Sequence, residues 1–239
     1  MFNDAQAHEW WANQAEMDDN PCHYHDKWQD GYAFRVRTQA FQKSDFNDAG
    51  LVVDVGCGIG EYTEALSRLT NAHFIGFDFP FNVELARKRS VGNSQLEFKD
   101  GALPNEAVRE ALKSADVAFT TTVYVHLAPD ARKAFYDYIA AMKQGSRFLL
   151  LEYMPDRIPE FQKKVPTKQV ETLPEIKAKF EFAGFALKEV RGVNFIDSLL
   201  FFHLGKNAFS YYLTLVLERF FFLAPFVPSK YKLLVFEKR

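Results

Sequence analysis

Cysteine is scarce in this chain: two in 239 residues, Cys22 and Cys57. That excludes a disulfide framework and fits a reducing compartment. Neither sign of charge dominates, with 29 Lys+Arg against 31 Asp+Glu and a formal charge of −2. A protein built to hold a nucleic-acid backbone wants a basic surface, so no nucleic-acid partner is expected. Long hydrophobic runs are missing as well. The most apolar stretch, 195–227, is interrupted by Asp197, His203, Lys206, Glu218 and Arg219. Its longest segment free of charge and His, 207–217, is about half of the roughly 20 residues a spanning helix needs. Lying against a bilayer stays open. The first residues, Met-Phe-Asn-Asp-Ala-Gln-Ala-His-Glu-Trp-Trp, carry acids and no apolar stretch of a secretory leader. A cytoplasmic place is therefore expected, with peripheral membrane contact left open. Internal repeats and low-complexity tracts are absent, and 48% hydrophobic with 25% charged residues excludes wholesale disorder.

What the chain has in excess is aromatic. Nine of its 25 Phe and three of its 10 Tyr fall between Phe195 and Phe236. Within that segment 207–223 is apolar almost all the way round, and a helix without a polar face is buried or meets something apolar. Three occupants follow: a packed sheet edge, the wall of an acceptor pocket, or a docking face for a membrane or a second copy through 195–227.

The order of elements is regular. Strands are expected at 51–55, 73–77, 95–98, 116–121 and 147–153, alternating with helices at 61–69, 83–89, 106–113 and 129–142. Five such alternations imply an α/β fold with a doubly wound, mostly parallel sheet. A polar stretch, 156–172, then precedes a helix at 173–182, a sixth strand at 185–190 and a last one at 233–236. Those last two strands, joined without a crossover helix, predict an antiparallel edge carrying a large insertion. The length suits one domain over 1–239: a helical lid over 1–50, a core over 51–190, and the aromatic insertion with the final strand over 191–239.

The densest signal is Val53-Asp54-Val55-Gly56-Cys57-Gly58-Ile59-Gly60, at the first strand-to-helix turn. Glycines there let the backbone turn sharply and let a ligand approach without Cβ clashes. Their spacing is G-x-G-x-G, one residue shorter than the dinucleotide fingerprint, and Glu61 follows directly, which disfavours a pyrophosphate. Gly76-Phe77-Asp78 ends the second strand with a carboxylate placed to accept two ribose hydroxyls. Lys99-Asp100-Gly101 ends the third, where a carboxylate accepts an adenine amino hydrogen. Each acid alone reads as a cap or turn residue. Together, beside the glycine turn, they converge on one crevice.

On those residues the chain resembles the class I S-adenosylmethionine-dependent methyltransferases, of the small-molecule, methyltransferase type 11-like kind. The resemblance runs over 51–190. It rests on Val53 to Gly60, Asp78 and Asp100, on Ala115-Asp116-Val117-Ala118-Phe119-Thr120-Thr121-Thr122 as the fourth strand, and on Lys143 to Leu150 as the turn into the fifth. It implies a seven-stranded Rossmann-like sheet with an N-terminal helical lid and a helical insertion before the last strand. It also implies S-adenosyl-L-methionine as cofactor and S-adenosyl-L-homocysteine as product. The cofactor residues it points to are Gly56, Gly58, Gly60, Asp78, Phe79, Asp100, Gly101 and Thr121. In the lid, Trp10, Trp11, Tyr24 and Trp28 either cover the cofactor or pack on the sheet, and Arg37 is a partner for the methionine carboxylate.

A hydroxyl acceptor profits from a base near neutral pKa, and histidine suits that task. His126, just beyond the fourth strand, and His203, in the aromatic insertion, are the catalytic candidates. His73 opens a strand and reads as structural. Cys22-His23-Tyr24-His25 lacks the spacing and the fourth ligand of a zinc site, so no metal is expected. Thr121-Thr122-Val123-Tyr124 stands where enzymes acting on nucleobase amino groups carry an Asn/Asp-Pro-Pro-aromatic run. The expectation is therefore O-methylation of a small acceptor, apolar or lipid-linked. N- or C-methylation and a non-catalytic S-adenosylmethionine-binding module are the alternatives.

Overall fold

A computed structural model describes residues 29–154, 170–193, 204, 205, 207–222, 229 and 231–239, with the side chains of 29, 30 and 219–222 excepted. Seven strands form one sheet: β1 (Leu51–Val55), β2 (His73–Asp78), β3 (Leu96–Asp100), β4 (Val117–Thr121), β5 (Arg147–Tyr153), β6 (Phe185–Val193) and β7 (Tyr231–Lys238). Their order is β3-β2-β1-β4-β5-β7-β6. The first five are parallel, as the β-α rhythm requires, and β7 runs antiparallel to both neighbours.

The last two strands form the expected antiparallel edge, and within it β7 lies inside the sheet while β6 takes the margin. Burial explains it. Leu233, Leu234, Val235 and Phe236 are all buried, which only a strand covered on both faces allows. By contrast β6 exposes Lys188, Glu189 and Val190, and charges on a margin discourage further pairing.

Helices cover both faces. On one lie α1 (Gln29–Ala40) and α2 (Glu61–Ser67), whose Tyr32, Val36, Tyr62 and Leu66 pack with Phe41 and Phe46 on Val52, Phe74, Phe119 and Leu149. α3 (Pro80–Arg89) packs Val83 and Ala86 with Cys57 and Phe98. The other face carries α4 (Glu106–Ser114), α5 (Pro129–Ala140) and α6 (Leu173–Phe182). There Phe135, Phe148, Phe180, Phe185 and Phe236 meet ring to ring, with Phe180 stacked on Phe236 at 4.0 Å between centroids. Of the aromatic segment, Phe236 joins this core, whereas Phe209 and Tyr212 stay exposed. The described part of the expected lid is fastened down. Arg191 of β6 forks onto both oxygens of buried Asp45 at 2.6 and 2.8 Å and also donates to Ala40 O, at the end of α1.

The aromatic insertion contains α7 (Ala208–Phe222). It is neither uniformly buried nor amphipathic in the usual sense. Ser210, Thr214 and Glu218, one turn apart, are buried, whereas Phe209, Tyr212 and Val216 are 67%, 62% and 51% exposed. The inward polar stripe is satisfied: Ser210 Oγ donates to Gly205 O, Thr214 Oγ1 to Ser210 O, and Glu218 accepts from Tyr32 Oη of α1 at 2.8 Å. Among the described residues, no helix is long and apolar enough to cross a membrane.

Candidate active site

Three carboxylates, Asp78 and Asp100 at the ends of β2 and β3 and Asp54 one residue short of the end of β1, lie around the glycine turn. The turn itself needs glycine. Gly56, Gly58 and Gly60 have φ of 79°, 54° and 80°, in the left-handed region. A Cβ on Gly56 would stand 2.5 Å from Val123 Cγ2, and one on Gly60 2.7 Å from the Phe98 ring. The backbone N–H groups of Gly56 and Cys57 both donate to Phe77 O, so the turn folds back onto the end of β2.

Asp78 closes that end. Its Oδ2 accepts from Gly58 N at 2.7 Å, and its Oδ1 from Phe79 N and Asn82 Nδ2, each at 2.7 Å. Burial raises its pKa, while those donors pull the other way. An ionised carboxylate has about four acceptor positions, so three donors leave room for a ligand hydroxyl. Asp100 stands opposite Asp78 in the β2–β3 register, is exposed, and lies 3.6 Å from Arg87 Nη2. Phe79 caps the start of α3 and stacks on Phe81 at 5.6 Å. Gly101 N donates to Asp78 O at 2.9 Å, and a Cβ there would stand 2.6 Å from the Phe77 ring. Glu61, at the mouth of the turn, is held by Arg89 at 3.0 Å.

Asp54, penultimate in β1, is the carboxylate the motif reading passed over. It is fully buried; Thr63 Oγ1 donates to its Oδ2 at 2.6 Å, and its Oδ1 has no hydrogen-bond partner among the described residues. Burial lifts its pKa to about 8, against the Thr63 bond and with repulsion from Asp78. The crevice therefore offers acceptors and negative charge. Such a set fits a cationic ligand rich in hydroxyl and amino hydrogens, and it opposes a pyrophosphate.

The acceptor side begins where β4 ends. Thr121 is buried, Thr122 has φ of 56°, and its N–H reaches Leu151 O at 2.8 Å. Val123 lies against Gly56, and Tyr124–His126 form a 3₁₀ turn with His126 half-buried. The structure thus brings His126 to the same end of the sheet as the glycine turn. His203, the other candidate base, lies outside the described residues, as do Trp10, Trp11, Tyr24, Trp28 and the Cys22–His25 run. Arg37 of α1 sits over the Tyr231 ring at 4.0 Å, and its charge acts on Glu152. Among the described residues no group of His, Cys, Asp and Glu is arranged for a metal ion.

Glu152 was also missed. It is penultimate in β5, as Asp54 is in β1, and it accepts from Tyr153 N at 2.7 Å and Val125 N at 3.2 Å. The signal for both was in the sequence: an acid inside an otherwise apolar strand run, Leu51-Val52-Val53-Asp54-Val55 and Leu149-Leu150-Leu151-Glu152.

Comparison with known proteins agrees with this geometry. A family model described as a methyltransferase domain matches residues 52–145. The chain is 26% identical over 122 residues to phosphoethanolamine N-methyltransferase 1 of Triticum aestivum, covering 50% of this chain and 24% of that protein. It is 25% identical over 166 residues to the mitochondrial ubiquinone biosynthesis O-methyltransferase of Dictyostelium discoideum, covering 62% of this chain and 50% of that one. It therefore spans half or less of the length of these curated relatives. Among solved structures, geranyl diphosphate C-methyltransferase from Streptomyces coelicolor A3(2), in complex with Mg2+, geranyl diphosphate and S-adenosyl-L-homocysteine, has the same fold. The TM-score is 0.62 at 11% identity, over 91% of this chain and 87% of that one. On the stretch that holds the glycine turn, Asp78 and Asp100, the chain thus matches a methyltransferase domain.

Proposed function

We propose that this protein methylates a small acceptor at oxygen, and that the acceptor is apolar or lipid-linked. The observation that carries the reading is the convergence of Asp54, Asp78 and Asp100 on the glycine turn, with His126 on the adjoining turn after β4. Bound S-adenosylmethionine supplies an electrophilic methyl group, given up with the electron pair of the broken bond left on sulfur as S-adenosylhomocysteine. The residues of this chain do the rest. Gly56, Gly58 and Gly60 admit the cofactor to the backbone; Asp78 accepts a ribose hydroxyl and Asp100 the adenine amino group, with Phe79, Gly101 and Thr121 beside them. Arg37 takes the methionine carboxylate. His126 receives the acceptor proton at a ring nitrogen, which keeps the attacking oxygen nucleophilic at neutral pH.

A cleft of about 380 Å³ lies between α1, the end of β6 and α7, lined by Val36, Val193, Leu215 and Val216 together with Arg35, Gln39 and Glu218; neither His126 nor any of the cofactor candidates lines it. The outward stripe of Phe209, Tyr212 and Val216 beside it is the surface proposed for membrane or second-copy contact. N-methylation is the second reading, favoured by the likeness to the wheat N-methyltransferase. The test is methyl transfer from labelled S-adenosylmethionine to a panel of phenolic, amine and prenylated acceptors. A methyl ether formed from a hydroxyl acceptor, its rate of formation falling about 100-fold in His126→Gln, supports the reading. Amine products indifferent to His126→Gln overturn it in favour of N-methylation.

A further inference from the structure

The turn that carries His126 belongs to no strand ladder, yet its backbone is fixed from several sides. Thr122 leaves β4 in the left-handed region and is pinned through its N–H to Leu151 O. Val123 fills the space that a side chain on Gly56 would need. The next two residues are each held by a carboxylate from a distant part of the chain. Val125 N donates to Glu152, which has no exposed surface and also takes Tyr153 N. Tyr124 Oη donates to Glu171 Oε2 at 2.9 Å.

The second of these anchors is itself braced. Glu171 Oε1 accepts from Arg132 Nη1 and, at 2.8 Å, from Lys179 Nζ. Arg132 Nη2 donates to Tyr124 O at 2.9 Å, and its guanidinium lies 4.3 Å over the Tyr124 ring. Tyr124 Oη is also 2.7 Å from Tyr136 Oη. Thus α5 and the segment before α6 grip one side chain two residues from His126, and α6 braces that grip through Lys179 on Glu171. Keeping Glu152 wholly and Glu171 largely out of water for the sake of a short turn is expensive unless the turn must not move.

We propose that Glu152 and Glu171 are positioning residues: one holds the backbone and the other the Tyr124 side chain, and together they set the distance of His126 from the glycine turn. The effect is on the placement of His126, since Val123 packs on Gly56 and ties the two turns together. In relation to catalysis this rests on the proposed role of His126, but the placement can be read without any acceptor.

The experiment uses the full chain labelled with 13C at histidine Cε1, the His126 resonance being identified by its loss in His126→Gln. Glu171→Gln weakens the ion pairs with Arg132 and Lys179, and Tyr124→Phe deletes only one hydroxyl, so the second remains informative where the first fails to fold. In both variants the His126 signal is expected to shift or broaden by exchange, with S-adenosylhomocysteine affinity held within about threefold of wild type. A lower melting temperature with an unmoved His126 signal would mean that the network supports the fold alone, and would overturn the proposal. Failure of the wild-type chain to bind S-adenosylhomocysteine would instead overturn the functional reading and leave this result standing.

Discussion

Asp54 and Glu152 occupy equivalent places on two strands, and burial lifts them to about 8 and about 7. A carboxyl whose folded pKa lies above its unfolded one holds a proton that unfolding releases, so it favours the folded state at low pH and loses that advantage as pH rises. For Asp54 the window runs from its ordinary 3.8 up to about 8. Without cofactor, stability measured by urea unfolding is expected to fall across that range. Asp54→Asn should make the decline shallower, leaving the part due to Glu152, which ends near 7. An unchanged slope would mean that Asp54 is ionised in the folded protein. Gly56 gives a steric test. Its φ of 79° and the 2.5 Å approach to Val123 leave no room for a methyl group. Gly56→Ala is expected to lose about 2 kcal/mol or more in chemical denaturation, together with S-adenosylhomocysteine binding. Wild-type stability in that variant would show that the turn relaxes easily.

The elements of the β-α core were legible because each writes its own pattern: a β-branched run for β1, a short apolar run with two Phe for β2, helical spacing between them, and Pro or Asn at helix starts. Less legible was anything set by distant partners. The place of β7 between β5 and β6 depends on pairing across a long stretch of chain, which local periodicity does not encode. The inverted polarity of α7 is similar. Its Glu218 points inward because Tyr32 of α1 waits for it, and nothing within 207–223 announces that partner. The hold of β6 on α1 is equally non-local, and it is testable. Arg191→Ala leaves Asp45 buried without its guanidinium, and about 3 kcal/mol of stability is expected to go in urea or thermal unfolding. A loss below about 1 kcal/mol would mean that water reaches Asp45 freely.

For the whole molecule, sheet and site are one arrangement. Parallel strands bring their C-terminal ends to one margin, and the strand order places β1 between β2 and β4, so the glycine turn lies between the acids of β2 and β3 and the turn bearing His126. The candidate site was readable in sequence as far as its residues lie next to strand ends: Gly56, Gly58, Gly60, Asp78, Asp100 and His126. Glu171 was not, because its link to Tyr124 crosses the fold. Cofactor recognition by strand-end carboxylates is the claim on which the functional account stands. Calorimetric titration of the wild-type chain and of Asp78→Ala with S-adenosylhomocysteine, with NADH as control, tests it. The account predicts a dissociation constant on the order of micromolar for the wild type, weakened at least tenfold or so in the variant, and no heat with NADH. Binding of NADH, or S-adenosylhomocysteine affinity indifferent to Asp78, would contradict it.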